Sequence, residues 1–344
     1  MSAAARAGTV IGALFLAEPM PASLLKRLAM LAASCALLGP GAAVRATAGQ
    51  PPTFNLPSPN EGPLVLVVYG DTRFTLREDV ANSVARRALV DRIASEKPAA
   101  ILIGGDLVYE GADTRDYQAF RSETSAWSKE NIPVFPALGN HEFKGCPQEV
   151  HDCLENWWSA FDELPLRPHR WYSVAIGPSL LALVLDSDAA LKPGSEQRIW
   201  FEEQLAGADE QVKFILILLH YPPVRDPFFP RMRDEKEIAR YLSAHVRSLP
   251  QKVLVVGSHV HNYERYARDG VMYVVSGGGG AKPVPAPRMF GEQSHLRTSV
   301  NFHFLRLTLS GDRLSASMVR YDAKRASGPD AWTEPDRFEI SARH

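Results

Sequence analysis

The chain has 344 residues, of which 45% are hydrophobic and 22% charged, with a formal net charge of −1. That balance belongs to a folded globular protein and excludes a disordered one. No block of like charge is present, so the basic footprint of a nucleic-acid binder is missing and no nucleic-acid partner is expected.

Residues 1–48 read differently from the rest. Lys26 and Arg27 precede an apolar run from Leu28 to Leu38, followed by Pro40-Gly41 and the small-residue sequence Ala46-Thr47-Ala48. This is the basic, apolar and cleavable order of a secretory signal peptide, which predicts a periplasmic or secreted protein. The run is short for a bilayer, so no membrane span is expected in the mature chain. Met20 is a candidate start. A second reading makes Cys35 the lipid-modified first residue of a lipoprotein; it ranks lower because the position before Ser34 lacks a large aliphatic residue. Removing residues 1–48 leaves 34 basic and 38 acidic residues, a net charge of −4, and two cysteines, Cys146 and Cys153. In an oxidising compartment that even pair reads as a disulfide. It closes a short loop and is worth on the order of 2–3 kcal/mol.

Residues 49–61, rich in Pro, Ser, Asn and Gly, read as a linker, and residues 62–344 as one domain. Apolar runs of strand length follow: Leu64–Tyr69, Ala99–Ile103, Val134–Leu138, Leu180–Leu185, Phe214–Leu219, Val253–Val256 and Val271–Val275. Helical spacing of apolar residues lies between several of them, at Asp79–Ser95, Ser195–Leu205 and Asp234–Leu242. Trp157-Trp158 and Phe161 fall in a further helix, where core packing is the default. Near the end, Phe302–Leu309 and Leu314–Val319 flank Ser310-Gly311-Asp312, a hairpin signal. Strands alternating with helices predict an α/β layered fold.

Polar residues stand immediately after five of these strands. The runs lead into Gly70-Asp71-Thr72-Arg73, Gly105-Asp106 with Tyr109 three residues on, Gly139-Asn140-His141-Glu142, His220-Tyr221-Pro222-Pro223 and Gly257-Ser258-His259-Val260-His261. In open α/β sheets the functional crevice lies beyond the carboxyl ends of the strands. One edge thus receives Asp, Asp, Asn-His, His and His-x-His. Each piece alone is weak, since a Gly-Asp is most often a turn. His-x-His is stronger, because alternate residues of an extended segment share a face. Gly277-Gly278-Gly279-Gly280 lacks the spacing of a phosphate-binding P-loop and reads as a tight turn at the pocket rim.

These motifs, with Glu264 and Arg265 after His261, resemble the calcineurin-like metallophosphoesterases, and within them most closely the purple acid phosphatases. The resemblance spans residues 64 to about 280. It implies a sandwich of two central β-sheets flanked by helices, and two adjoining metal sites. Asp71, Asp106, Tyr109 and His261 would hold the first ion. Asp106, Asn140, His220 and His259 would hold the second, with Asp106 bridging. The anionic first set suits Fe(III), the second a divalent Zn, Mn or Fe(II) ion. The implied activity is hydrolysis of small phosphate monoesters by in-line attack of a metal-bound hydroxide. His141 is the candidate general acid or phosphate contact and Arg73 the candidate phosphate clamp. A phosphodiesterase on the same metals and a non-catalytic phosphate- or metal-binding module are the alternatives. One departure stands out: after Pro223 this chain carries Arg225 and Arg231 where purple acid phosphatases commonly place histidines. These arginines are therefore candidates for phosphate contact, with His295 a weaker one.

Overall fold

The structure is a computed structural model that describes residues 43–45, 49–58, 62–146, 153–226, 234–285, 302–325 and 329–342. All of them belong to one compact unit, Pro40–His344. The expected signal features (Lys26, Arg27, Leu28–Leu38, Cys35, Ala46–Ala48) lie outside the described residues, as do Arg231 and His295.

The strands in chain order begin with β1 (Ala43–Arg45), β2 (Thr53–Leu56), β3 (Leu64–Tyr69), β4 (Ala100–Ile103), β5 (Val134–Pro136), β6 (Tyr172–Ile176) and β7 (Leu180–Val184). They continue with β8 (Phe214–Leu218), β9 (Lys252–Gly257), β10 (Tyr263–Arg268), β11 (Val271–Ser276), β12 (Phe302–Ser310), β13 (Arg313–Tyr321) and β14 (Trp332–Ser341). The helices are α1 (Ser83–Glu96), α2 (Thr114–Glu123), α3 (Ser125–Lys129), α4 (Cys153–Ala160), α5 (Glu196–Ala206) and α6 (Lys236–His245). Among the described residues, eight strands form one sheet in the order β1-β2-β6-β7-β8-β9-β11-β10. Six form another, β14-β13-β12-β3-β4-β5. The fold is the α/β sandwich of two mixed sheets that the motifs implied.

Strand periodicity explains the layering. In β8 every residue is buried, the signature of a strand covered on both faces. Leu216 and Leu218 join the core between the sheets, while Ile215 and Ile217 pack with Trp200 and Phe201 of α5 and Leu242 of α6. The alternation of side chains along one strand thus feeds two cores at once. Parallel pairing of β7, β8, β9 and β11, and of β3, β4 and β5, brings their carboxyl ends to one edge. That edge receives the polar motifs.

Two segments differ from the sequence reading. Thr53–Leu56, inside the stretch read as a linker, is β2, parallel to β6, with Phe54 fully buried against the rings of Phe135 and Tyr172 at 5.6 and 5.5 Å. Ala43–Arg45, inside the stretch read as the signal, pairs antiparallel with β2. Pro51 and Pro52 directly before β2 gave the stretch its linker character, but neither interrupts the ladder. Cys146 and Cys153 are disulfide-bonded, their Cα atoms 5.8 Å apart, at the start of α4. Trp157 of α4 is fully buried beside Phe161, which is core packing.

Helix α1 reaches the polar edge through a buried cation. Asn82 caps it by accepting from the Ala85 N–H. Arg86, 1% exposed, forks onto Glu123 at 2.9 and 2.6 Å. It also donates to the carbonyls of Arg73 and Thr75. One guanidinium therefore ties α1 to the loop that follows β3. Replacing Arg86 by Ala leaves Glu123 and two carbonyls without their donor. We expect a loss of about 3–5 kcal/mol, read as a lower midpoint in urea denaturation; a loss below about 1 kcal/mol would show that water replaces the guanidinium.

Candidate metal centre

Five of the residues singled out by the sequence sit in left-handed backbone: Asp71 (φ 55), Arg73 (φ 46), Asp106 (φ 51), His259 (φ 68) and His261 (φ 54). Such conformations cost a non-glycine residue on the order of 1–3 kcal/mol each and persist only where the surroundings dictate them. Each lies in a turn just after β3, β4 or β9, so the strain is concentrated where the strands deliver their side chains.

The side chains they present are nearly all acceptors. One ligand atom each from Asp71, Asp106 and His220 lies within 4.8 Å of the others, and all three residues are fully buried. His220 Nε2 is 3.2 Å from Asp106 Oδ1, 3.1 Å from Asn140 Oδ1 and 3.2 Å from His259 Nδ1. Its other nitrogen, Nδ1, lies 2.9 Å from the Gly104 carbonyl. A carbonyl only accepts, so Nδ1 carries the proton and Nε2 turns a lone pair toward the other acceptors. His261 repeats the arrangement: Nδ1 donates to the Lys282 carbonyl at 2.9 Å and Nε2 stands 3.7 Å from Asp71 Oδ1. Backbone carbonyls that fix a histidine tautomer in this way are the usual outer support of a metal-binding imidazole.

The electrostatics agree. Burial, then the His220 ring, holds His259 down to about 3. Burial, then the Arg73 charge, holds His261 down to about 4, so both rings are neutral across ordinary pH. Asp71 is pushed well up by burial and by the Asp106 charge. Neither Asp71 carboxylate oxygen has a hydrogen-bond partner. Asp106 feels the same burial, but the His220 and His141 rings, whenever protonated, and Arg73 outweigh it and hold its carboxyl well below the usual range. Converging lone pairs and an orphaned buried carboxylate are a site that fits cations and is repulsive without them.

Two features outside the candidate ligand set shape this cluster. Glu142, fully buried, accepts backbone N–H groups from Asp106 (2.9 Å), Leu107 (2.8 Å), Val108 (3.3 Å) and Gly139 (2.7 Å). It bolts the turn after β4 to the turn after β5. Asp106 Oδ1 returns the bond by accepting the His141 N–H at 2.9 Å. The second feature is the glycine run. A Cβ on Gly277 would lie 2.3 Å from Asp71 Oδ2, so only glycine lets that backbone pass the carboxylate. Gly279 N and Ala281 N bond the carbonyls of Gly70 and Asp71, so the run clamps the Asp71 turn. Gly105 (φ +84) is as constrained, since its Cβ would meet His220 Nδ1 at 2.8 Å.

The remaining candidates are placed as follows. His141 is largely buried, with Nδ1 2.5 Å from the Tyr109 carbonyl and Nε2 3.8 Å from Asp106 Oδ2. The Tyr109 ring lies beside His141, centroids 5.4 Å apart, with Lys144 Nζ 3.3 Å and Arg77 4.8 Å from its face. Arg73 points into the cluster: Nη2 is 3.3 Å from Asp106 Oδ2 and 3.1 Å from His261 Nε2. Arg225 is turned to other work, bonding the Pro222 carbonyl and pairing with buried Glu235 at 3.1 Å.

Residues 64–263 match the family described as Calcineurin-like phosphoesterase, and the chain belongs to that family. A curated relative, "Probable purple acid phosphatase 20" of Arabidopsis thaliana, is 21% identical over 221 residues, covering 60% of this chain and 51% of that one. Purple acid phosphatase PPD1 from yellow lupin (Lupinus luteus) seeds superposes with a TM-score of 0.65 at 19% identity, covering 84% of this chain and 56% of that one. GAP50, described as the anchor in the inner membrane complex of Plasmodium, superposes with a TM-score of 0.57 at 15% identity, covering 83% and 90%. The chain thus spans about half the length of the two purple acid phosphatases, and at these identities the superpositions show a shared fold.

The Glu142 joint makes a stability prediction. Each of its oxygens serves two N–H donors. In Glu142→Gln one oxygen becomes an NH2 that faces donors. The expected cost is about 1–3 kcal/mol, measured by chemical denaturation of the metal-free protein; an unchanged midpoint would mean that the two turns hold together without it.

Proposed function

We propose that the chain is an exported hydrolase of phosphate monoesters that works with a pair of metal ions. The observation that carries this reading is the convergence of acceptor groups from Asp106, Asn140, His220 and His259 beside an orphaned Asp71 carboxylate. Asp71, Tyr109 and His261 would hold one ion, Asn140, His220 and His259 the other, and Asp106 both. The anionic first set favours Fe(III), and the neutral second set Zn, Mn or Fe(II). When bound, the ions would lower the pKa of an attacking water, polarise phosphoryl oxygens and neutralise the charge that develops during in-line displacement.

The chain's own residues do the rest. His141 is locked through Nδ1 to the Tyr109 carbonyl, which leaves Nε2 to contact phosphate or exchange a proton with the leaving oxygen. Arg73 brings a planar, permanently charged donor to the same cavity, suited to phosphate oxygens. The Cys146–Cys153 disulfide supports export, because such bonds persist in oxidising compartments.

The test is metal content together with turnover. Chelation should abolish hydrolysis of an aryl phosphate monoester, and two metal equivalents per chain should restore it; the matching diester should turn over at least about tenfold more slowly. Restoration by a single equivalent would overturn the paired-ion reading, and faster diester cleavage the monoester one. Asp106→Asn should lower turnover at least about a hundredfold with loss of both ions, because it removes the shared ligand. His141→Ala should lower turnover about 10²–10⁴-fold while the metal content stays at the wild-type level. Equal loss of metal would make His141 a structural residue.

A further inference from the structure

Each of the two proposed ions needs ligands from both sheets. Asp71 and Asp106 follow β3 and β4 of the six-stranded sheet, whereas His220, His259 and His261 follow β8 and β9 of the eight-stranded one. Two contacts of the cluster cross between them: Asp106 Oδ1 to His220 Nε2 at 3.2 Å and Asp71 Oδ1 to His261 Nε2 at 3.7 Å. Bonds from such ligands to a metal tolerate about 0.2 Å of error. The gap between the sheets at this level therefore decides whether a pair of ions fits.

A buried serine fills that gap. Ser258 stands directly before His259 and is fully buried. Its Oγ faces the glycines that follow β3 and β4: a Cβ on Gly70 would lie 2.2 Å from it, and a Cβ on Gly104 2.4 Å. The same hydroxyl donates to the carbonyl of Ser276, the last residue of β11, at 3.2 Å, and that carbonyl also accepts the Gly70 N–H at 2.9 Å. The Ser258 N–H donates to the His220 carbonyl at 2.9 Å, while His220 Nδ1 donates to the Gly104 carbonyl. The ends of β3, β4, β8, β9 and β11 thus meet on one residue. Neither glycine has a side chain, so the spacing here is set by Cβ and Oγ of Ser258, and a close-packed interior transmits it to the neighbouring turns.

We propose that Ser258 is a positioning residue: its hydroxyl is the spacer that fixes the distance between the carboxylates of one sheet and the imidazoles of the other, and hence the affinity for the ion pair. The assignment rests on the paired-ion part of the reading above and not on the substrate. It also implies a specific rescue. Beyond Ser258 Oγ, the atoms nearest a Cβ on Gly104 are 3.4 Å away or more, which is ordinary contact. Gly104→Ala is therefore opposed by one oxygen, and Ser258→Ala removes that oxygen. Gly70→Ala differs, because its Cβ would also come within 2.7 Å of the Ser258 Cβ, which alanine retains.

The test is calorimetric titration of the metal-free full chain with Zn(II). The wild type should take two equivalents. Gly104→Ala should bind at least one of them about tenfold more weakly, the usual cost of disturbing the support behind metal ligands. Combining Gly104→Ala with Ser258→Ala should bring affinity back to within about threefold of the wild type, since the new methyl takes the oxygen's place; combining Gly70→Ala with Ser258→Ala should not. Ser258→Gly, which introduces no clash, should also weaken binding about tenfold because the spacer is gone, and it decides the matter if Gly104→Ala does not fold. Wild-type affinity for both ions in Gly104→Ala or in Ser258→Gly, or a double variant no better than Gly104→Ala, would overturn the spacer and leave the paired-ion reading intact. A wild type that takes fewer than two equivalents would overturn the paired-ion reading and the spacer with it.

Discussion

The carboxylate of Glu142 is the joint on which the candidate metal centre depends. Strands β4 and β5 are neighbours, and the turns at their carboxyl ends are held to each other by bonds such as the Gly111 N–H to the His141 carbonyl at 2.9 Å and, at their base, by Glu142. Four backbone N–H groups from those turns converge on two oxygens of one side chain. Burial and the Asp106 charge push Glu142 up to about 8, so the joint is itself under electrostatic load. Asp106 closes the loop by accepting the His141 N–H. Two buried acids, each fixed by backbone donors from the other's turn, can approach this closely only while positive charge stands nearby. The Arg73 guanidinium supplies part of it.

Strain and repulsion at the edge are tolerated because the strands behind it are not free to move. Five left-handed residues with large side chains would relax if the ends of β3, β4 and β9 were loose. Strand β9 divides its side chains between the two cores, and β3 and β4 bury theirs in the larger one. Arg86 adds a second anchor from α1 to the loop after Asp71. The glycine run from Gly277 adds a third from the end of β11. Local conflict at a site together with consistency everywhere else is the pattern expected where side chains are positioned for binding rather than for stability.

That division also explains what the sequence made legible. Strands buried on both faces read as continuous apolar runs, and β3, β4, β7, β8, β9 and β11 were recognisable to within two residues at their ends. Strand β10 was not: Tyr263–Arg268 alternates tyrosine with charge at the sheet's edge. Nor was β14, which carries Pro335 and faces solvent along one side. Strand β2 was hidden by the prolines before it. Acidic and imidazole groups after strand ends announced the cluster, because their chemistry and spacing are local. Glu142 stood in the motif after β5 but without a role, and Arg86 did not announce itself, since a buried charge looks like any surface charge until its partner, Glu123, 37 residues away, is brought to it. Tyr109 shows the reverse limit: its spacing from Asp106 was readable, while the cations over its ring come from Arg77 and Lys144, on other turns.

The departure after Pro223 acquires a physical meaning in this setting. Arg225, which the sequence offered as a phosphate contact, has its charge spent on Glu235 and the Pro222 carbonyl, with a side chain only 7% exposed. The cation that does face the cluster is Arg73, from the opposite sheet, at the position after Asp71-Thr72. Positive charge for a bound anion thus comes from the β3 side rather than from the β8 side.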